Sequence, residues 1–305
     1  MTKANINKLL KMPLTALMAR ANRLRARHMG MAMDLCTITN AKSGLCSEDC
    51  KFCAQSGRHK TGIAVYPLKS IEQMFQEARQ AKANGAKRFG IVTSGNRLTK
   101  PEIDTIAETI KRVRRDIGIG ACASLGELEK SEFLQLKRAG LSRYHHNLET
   151  SREYFPKLVT THTFNDRIKT IKAAKAVGLE VCSGGIIGLG ESMQDRISMA
   201  LTLKALKVDS VPINVLMPIA GTRMAHAKPL PNDEVIRTIA IFRIILKDKV
   251  VKIAAGRESA LKDFQALAFM AGANGMLVGG YLTTRGRAVI DDQRLVEEVK
   301  RLWMA

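Results

Sequence analysis

The sequence predicts an α/β chain closed into a (β/α)8 TIM-type barrel. Three observations carry that expectation: short β-branched stretches alternate with longer amphipathic ones, the alternation repeats eight times, and no Pro/Gly/Ser-rich linker interrupts it. The expected strands fall at residues 33–39, 88–93, 118–123, 143–147, 180–186, 210–216, 250–254 and 276–278. The amphipathic runs lie between them, at 71–83, 102–114, 127–139, 166–177, 192–206, 233–246 and 261–271. Gly85, Gly140 and Gly178 stand just past helix ends, where a left-handed cap is wanted. The 305 residues leave room for a barrel of about 250 and some extra helix. Residues 1–30 read as an N-terminal helical extension that packs on the barrel or on a second subunit, 31–290 as the barrel, and 291–305 as a C-terminal helix. A doubly wound open sheet is the alternative architecture.

Composition narrows the class. No apolar run approaches the roughly 20 residues that span a bilayer. The N-terminal stretch is broken by Pro13 and Arg20 and lacks the apolar core of a secretory signal. A cytoplasmic protein without membrane contact is expected. The net charge of +21 invites a nucleic-acid reading. Against it, the basic residues (Lys69, Lys82, Lys111, Arg112, Lys172, Lys175, Lys204) are spread over nearly every helix, and aromatic residues are only 5%. Solvated helix faces and no nucleic-acid partner are the expectation, with a positive field that attracts carboxylate ligands.

Chemistry concentrates in the cysteines. Cys46, Cys50 and Cys53 form C-x3-C-x2-C on the loop after the first strand. Three thiolates on a tight loop can hold three irons of a cubane [4Fe–4S] cluster and leave the fourth open, whereas a ferredoxin cluster needs four cysteines. A zinc site, the other option, more usually pairs C-x2-C units with a fourth ligand. Phe52 within the motif fits the radical S-adenosylmethionine (SAM) form. Cys36, Cys122 and Cys182 fall inside the first, third and fifth strands, and Arg257 follows the seventh. Inward side chains of alternate strands share a layer in an eight-stranded barrel, so these four could form an interior ring around a second iron–sulfur cluster. Taken singly, each of the three cysteines reads rather as a small core residue; three on alternate strands with an arginine favour the cluster. His145, His146 and His162 are candidate acid–base groups, although strand alternation would turn His146 away from Asn147. His28, His59 and His226 read as solvated loop residues, and Glu48 and Asp49 as shapers of the cysteine loop.

From about Leu35 to Gly280 the chain resembles biotin synthase. The resemblance is carried by Asn40–Gly44, Cys46–Ser56, Cys122–Gly126, Tyr144–Thr150, Val181–Glu191, Val211–Asn214 and Ala255–Glu258. It implies a radical SAM barrel that inserts sulfur into dethiobiotin to form biotin. A [4Fe–4S] cluster on the loop binds and cleaves SAM, an auxiliary cluster supplies the sulfur, and an electron donor such as flavodoxin or ferredoxin serves a homodimer. Carried over residue by residue, Thr93, Ser94 and Gly95 receive the SAM amino group, Asn147 and Glu149 its ribose, Arg167 its carboxylate and Ile186 its adenine. Glu149 stands where the family usually has Asp. Asn147 and Asn214 face the substrate, and Arg257 joins the auxiliary ligands. One departure matters: the family's second-strand cysteine is Gly90 here. Set against the resemblance, that departure leaves open whether Cys36 replaces the missing ligand, and the auxiliary centre is expected to be a [2Fe–2S] or a larger cluster. The alternative is a related radical SAM enzyme without sulfur insertion, a mutase or maturation enzyme.

Overall fold

Nine short strands, each a few residues of alternating side chains, set the architecture: β1 (Asp34–Lys42), β2 (Arg88–Thr93), β3 (Gly120–Ser124), β4 (Arg143–His145), β5 (Glu180–Cys182), β6 (Gly185–Ile187), β7 (Ser210–Val215), β8 (Val250–Ile253) and β9 (Gly275–Leu277). In the computed structural model, which describes residues 2–305, all pairings are parallel, in the order β5-β4-β3-β2-β1-β9-β8-β7-β6. β5 also pairs with β7 through Cys182 and Ser210, and the sheet closes. β5 and β6 are halves of one stave, so the barrel has eight. The sequence predicts one strand over 180–186; the structure breaks it at Ser183-Gly184. The reason is steric. A Cβ on Gly184 would lie 1.9 Å from the Pro212 carbonyl oxygen, and one on Gly185 2.3 Å from that of Glu149. The two glycines let the broken stave press against both neighbours.

The outer layer comprises α1 (Lys3–Lys11), α2 (Leu14–Met29), α3 (Ile71–Ala83), α4 (Lys100–Arg112), α5 (Lys130–Arg138), α6 (Phe164–Ala176), α7 (Met193–Ala205), α8 (Asn232–Leu246), α9 (Arg257–Leu261), α10 (Gln265–Met270) and α11 (Val289–Met304). Capping boxes start α3 (Ser70 with Gln73), α6 (Thr163 with Asp166) and α7 (Ser192 with Asp195). The expected helix over 261–271 is instead α9 and α10, separated where Lys262 takes a left-handed conformation at φ 47°. The expected N-terminal extension is two helices, because Pro13 stops α1 and precedes α2. α2 lies along α8 and buries Leu17 and Ala21 completely. This explains why α8 is apolar around its circumference, with every side chain from Thr238 to Leu246 buried. Among the described residues no helix is long and apolar enough to cross a membrane.

Removing the Leu17 side chain from beneath α8 leaves a void with little freedom to collapse. Leu17→Ala is expected to lower stability by about 2–4 kcal/mol, read from denaturant unfolding of variant and wild type.

Candidate active site

The cysteine loop follows β1 and leaves the barrel at the C-terminal end of its strands, where barrel enzymes place their chemistry. Its backbone is knitted to itself: Cys46 N–H donates to Gln55 O (3.0 Å), Gly57 N–H to Cys46 O (2.8 Å) and Cys53 N–H to Cys50 O (3.0 Å). It is also anchored to the loop after β4. Lys51 N–H donates to Leu158 O (3.0 Å), and the Asp49 carboxylate accepts from Thr160 N–H (2.9 Å) and from the Thr160 and Thr161 hydroxyls. Burial alone would raise the Asp49 pKa; these hydrogen bonds outweigh it and hold the carboxyl below its usual range. His59, expected to be solvated, instead bonds through Nδ1 to the Cys53 carbonyl at 2.8 Å. His28 is exposed as expected, but on α2 rather than in a loop. Burial pushes the Cys53 thiol up to about 11 and the Cys50 thiol higher still. A metal's positive charge is what would keep such thiols ionised.

Below the loop lies one cavity of about 440 Å³. Of the residues expected to hold the clusters, SAM or substrate, all but Arg257 line it. Cys46, Cys50, Phe52 and Cys53 form its roof, and Thr93, Ser94, Gly95, Asn147, Glu149, Arg167, Ile186 and Asn214 its rim. Cys36, Cys122 and Cys182 are set deeper. The Thr93 and Ser94 hydroxyls are buried here without a hydrogen-bond partner, the state of groups shaped for a ligand. Asn147 accepts from Gly184 N–H (3.0 Å) and donates to Glu149 (3.3 Å). Asn214 bridges the Gly185 carbonyl (3.0 Å) and Ala255 N–H (3.1 Å). Both asparagines therefore clamp the broken stave while facing the cavity. Ile186 N–H is spent on the Glu149 carbonyl at 2.8 Å. Gly184 and Gly185 beside it make the close strand contacts described above.

A polar chain links roof to rim. Glu48 meets His162 Nδ1 at 2.5 Å, His162 Nε2 meets Arg167 at 3.1 Å, and Arg167 pairs with Glu149 at 3.6 Å and donates to the Asn147 carbonyl. Glu149 holds a left-handed backbone at φ 69°, a conformation retained by a non-glycine residue only where its surroundings enforce it. His146 borders the cavity, but its ring stacks on Tyr144 at 6.4 Å between centroids, on the side where Tyr144 meets Phe133 of α5.

Arg257 requires a correction. Gly256, at φ 81°, turns the chain out of the barrel after β8. The Arg257 guanidinium points to Asp292 of α11 at 2.7 Å, and also meets Gln265 and the Leu277 carbonyl. The cation that does enter the ring is Lys252, on the seventh stave. With Cys36, Cys122 and Cys182 on the first, third and fifth, it completes the layer of alternate staves. Its Nζ lies 3.2 Å from Cys36 Sγ and 2.8 Å from Asp34 Oδ1. Burial works against its charge, but the Cys36 and Asp34 sites outweigh burial and raise its pKa. The signal was present in the sequence, as a lysine inside the apolar run Val251-Lys252-Ile253. Gly90 sits between Ile38 and Cys122. A Cβ there would lie 3.1 Å from Ile38 Cγ2 and 3.9 Å from Cys122 Cβ, so Ile38 already fills part of the space beside the glycine.

A barrel with a three-thiol loop over its C-terminal mouth is the arrangement of radical SAM enzymes, and the radical SAM superfamily model matches residues 42–203. The Biotin and Thiamin Synthesis associated domain matches residues 212–300. Methylornithine synthase shares the fold at a TM-score of 0.83 and 20% identity, over 97% of this chain and 92% of that one. The FeFe-hydrogenase maturase HydG from Carboxydothermus hydrogenoformans shares it at 0.80 and 17%, over 93% and 70%. The chain is 53% identical to the biotin synthase of Thermotoga petrophila over 97% of its length and 98% of the relative's. It is 56% identical to that of Thermotoga neapolitana, over 88% and 97%. It belongs to the biotin synthase family.

Two outcomes follow from the geometry. Arg257→Ala leaves Asp292 buried and unpaired, and should cost about 3–5 kcal/mol of stability without lowering iron content. Arg257→Met with Asp292→Leu should recover the stability. Separately, burial holds His145 down to about 4 from 6.5. Between those values the unfolded chain takes up a proton that the folded chain refuses, so stability falls as pH drops across the window. Unfolding midpoints measured from pH 7 to 4 should show the loss, and His145→Gln should reduce it, the remainder coming from His146, which burial also holds well below its usual value.

Proposed function

We propose that this chain makes biotin from dethiobiotin by SAM-dependent sulfur insertion. The observation that carries the reading is that a single cavity joins a three-thiol loop at its roof to a second ring of thiols at its floor. The donor sets fit the groups. Cys46, Cys50 and Cys53 are soft ligands suited to an iron–sulfur cluster that keeps one iron open. Cys36, Cys122 and Cys182 offer three more, with Cys36 in place of the thiol missing at Gly90. When bound, the loop cluster supplies the electron that cleaves SAM, and the auxiliary centre supplies the sulfur.

The rest falls to side chains of this chain. The Thr93 and Ser94 hydroxyls, unpartnered and buried, are available to the SAM amino group. The Arg167 guanidinium is available to its carboxylate, and Glu149 accepts from its ribose. Asn147 and Asn214 hold the broken stave rigid where substrate meets cofactor. The enclosing barrel keeps water from a reactive carbon. A cytoplasmic homodimer served by flavodoxin or ferredoxin completes the proposal, the charge of +21 favouring an acidic donor.

The test is anaerobic incubation with SAM, a reductant and dethiobiotin, with mass detection of biotin and 5′-deoxyadenosine. Wild type should form both. Cys36→Ala should keep deoxyadenosine, lose biotin and hold less iron and sulfide. Deoxyadenosine without biotin from the wild type would defeat the reading, and full biotin formation by Cys36→Ala would remove Cys36 from it.

A further inference from the structure

The barrel has a second mouth. At the N-terminal ends of the staves lies another cavity of about 440 Å³, whose walls include Asp34, Lys87, Arg88, Arg114, Gly120 and Ser142. Lys87 and Arg114 are exposed, so the approach from solvent is basic. Between this mouth and the thiol ring stands one layer of side chains, and it is not the branched apolar layer that fills most barrels. It is an ion chain. Lys252 pairs with Asp34 (2.8 Å), Asp34 with Arg143 (3.2 Å), and Arg143 and Arg88 share Glu180 (2.9 and 3.0 Å). Arg88 also donates to Ser142 at 3.0 Å. Three cations face two carboxylates, so the layer is net positive.

The layer is also thin and loosely latched. Gly120 and Gly275 contribute no side chain to it. The Ser210 hydroxyl, fully buried on the same face of β7 as Pro212 and Asn214, has no hydrogen-bond partner. The outer latch is the Arg88–Glu180 pair, whose carboxylate side chain is 45% exposed, and an ion pair that wet is weak. Arg88 can swing out without opening a packed core.

This has a use if the proposed function holds, on which the present inference rests. A centre that gives up sulfur must be resupplied, and SAM and substrate fill the C-terminal approach. Inorganic sulfide in neutral water is divided between hydrogen sulfide and the hydrosulfide anion, and only the anion is drawn by positive charge. We propose that the N-terminal mouth is an access site for hydrosulfide: Lys87 and Arg114 draw it in, Arg88 gates it, and Arg143 and Lys252 conduct it to the ring of Cys36, Cys122 and Cys182. The site admits the anion and changes no bond.

The experiment gives the holoenzyme isotopically heavy sodium sulfide, without reductant, and reads heavy sulfide in the protein by mass spectrometry. With SAM and dethiobiotin present, wild type should still take it up, and more slowly as salt is added. Lys87→Glu with Arg114→Glu, both at exposed positions, should slow uptake about tenfold or more, with an unchanged thermal midpoint showing an intact fold. Ser142→Trp, which narrows the mouth, should slow it at every salt concentration. Uptake that ignores these variants, or that stops in wild type once SAM and dethiobiotin bind, would overturn the proposal and assign access to the other end. A wild type holding no sulfide beyond the loop cluster would bring down the functional reading itself, and this inference with it.

Discussion

Everything at the centre of this molecule depends on inward side chains of alternate staves sharing one height. Cys36, Cys122, Cys182 and Lys252 come from segments far apart in the chain, yet the parity of four strands brings them to one ring. A shift of one residue in any of these strands would send its side chain outward, into the helical layer. The ring is specified by register, and register is specified by the apolar residues between: Val251 and Ile253 flank Lys252 and are buried on the opposite face.

The roof obeys a different rule. A loop cannot rely on strand parity, so its position is set by hydrogen bonds. Asp49 and Glu48 do this by reaching across to residues 160–162, which makes the loop after β4 a second support for the cysteines. The same loop region carries Asn147 and Glu149, and Arg167 at the head of α6 ties them to His162. Roof and rim thus form one hydrogen-bonded unit. A ligand touching Arg167 or Glu149 is mechanically coupled to the thiols above it.

Much of this was legible in the sequence, for a physical reason. Barrel strands are short and apolar, and helices begin at Ser or Thr with an acid or amide three residues on, so Ser70, Thr163 and Ser192 announce their helices locally. The thiol loop is legible because its three cysteines lie close together in one short stretch of chain. What escaped was non-local. The break at Ser183-Gly184 is dictated by the Pro212 and Glu149 backbones, which a strand pattern does not reveal. Arg257 was read as a ring member because it lies close after the seventh strand. One left-handed glycine, Gly256, turns it outward to Asp292.

Lys252 shows why the floor charge is a built feature rather than a tolerated one. A fully buried ammonium is strongly disfavoured unless paired, and this one has Asp34 at 2.8 Å and Cys36 at 3.2 Å. Its path is opened by a residue on the next stave. A Cβ on Gly275 would lie 2.8 Å from Lys252 Cγ and 2.7 Å from the Asp34 carbonyl oxygen. Gly275 is therefore matched to the lysine and the aspartate together. Leucine at 252 would have needed no acid beside it. The chain instead keeps three mutually dependent residues at the level where the thiols meet, which puts a fixed positive charge beside sulfur and keeps the floor polar enough to be crossed.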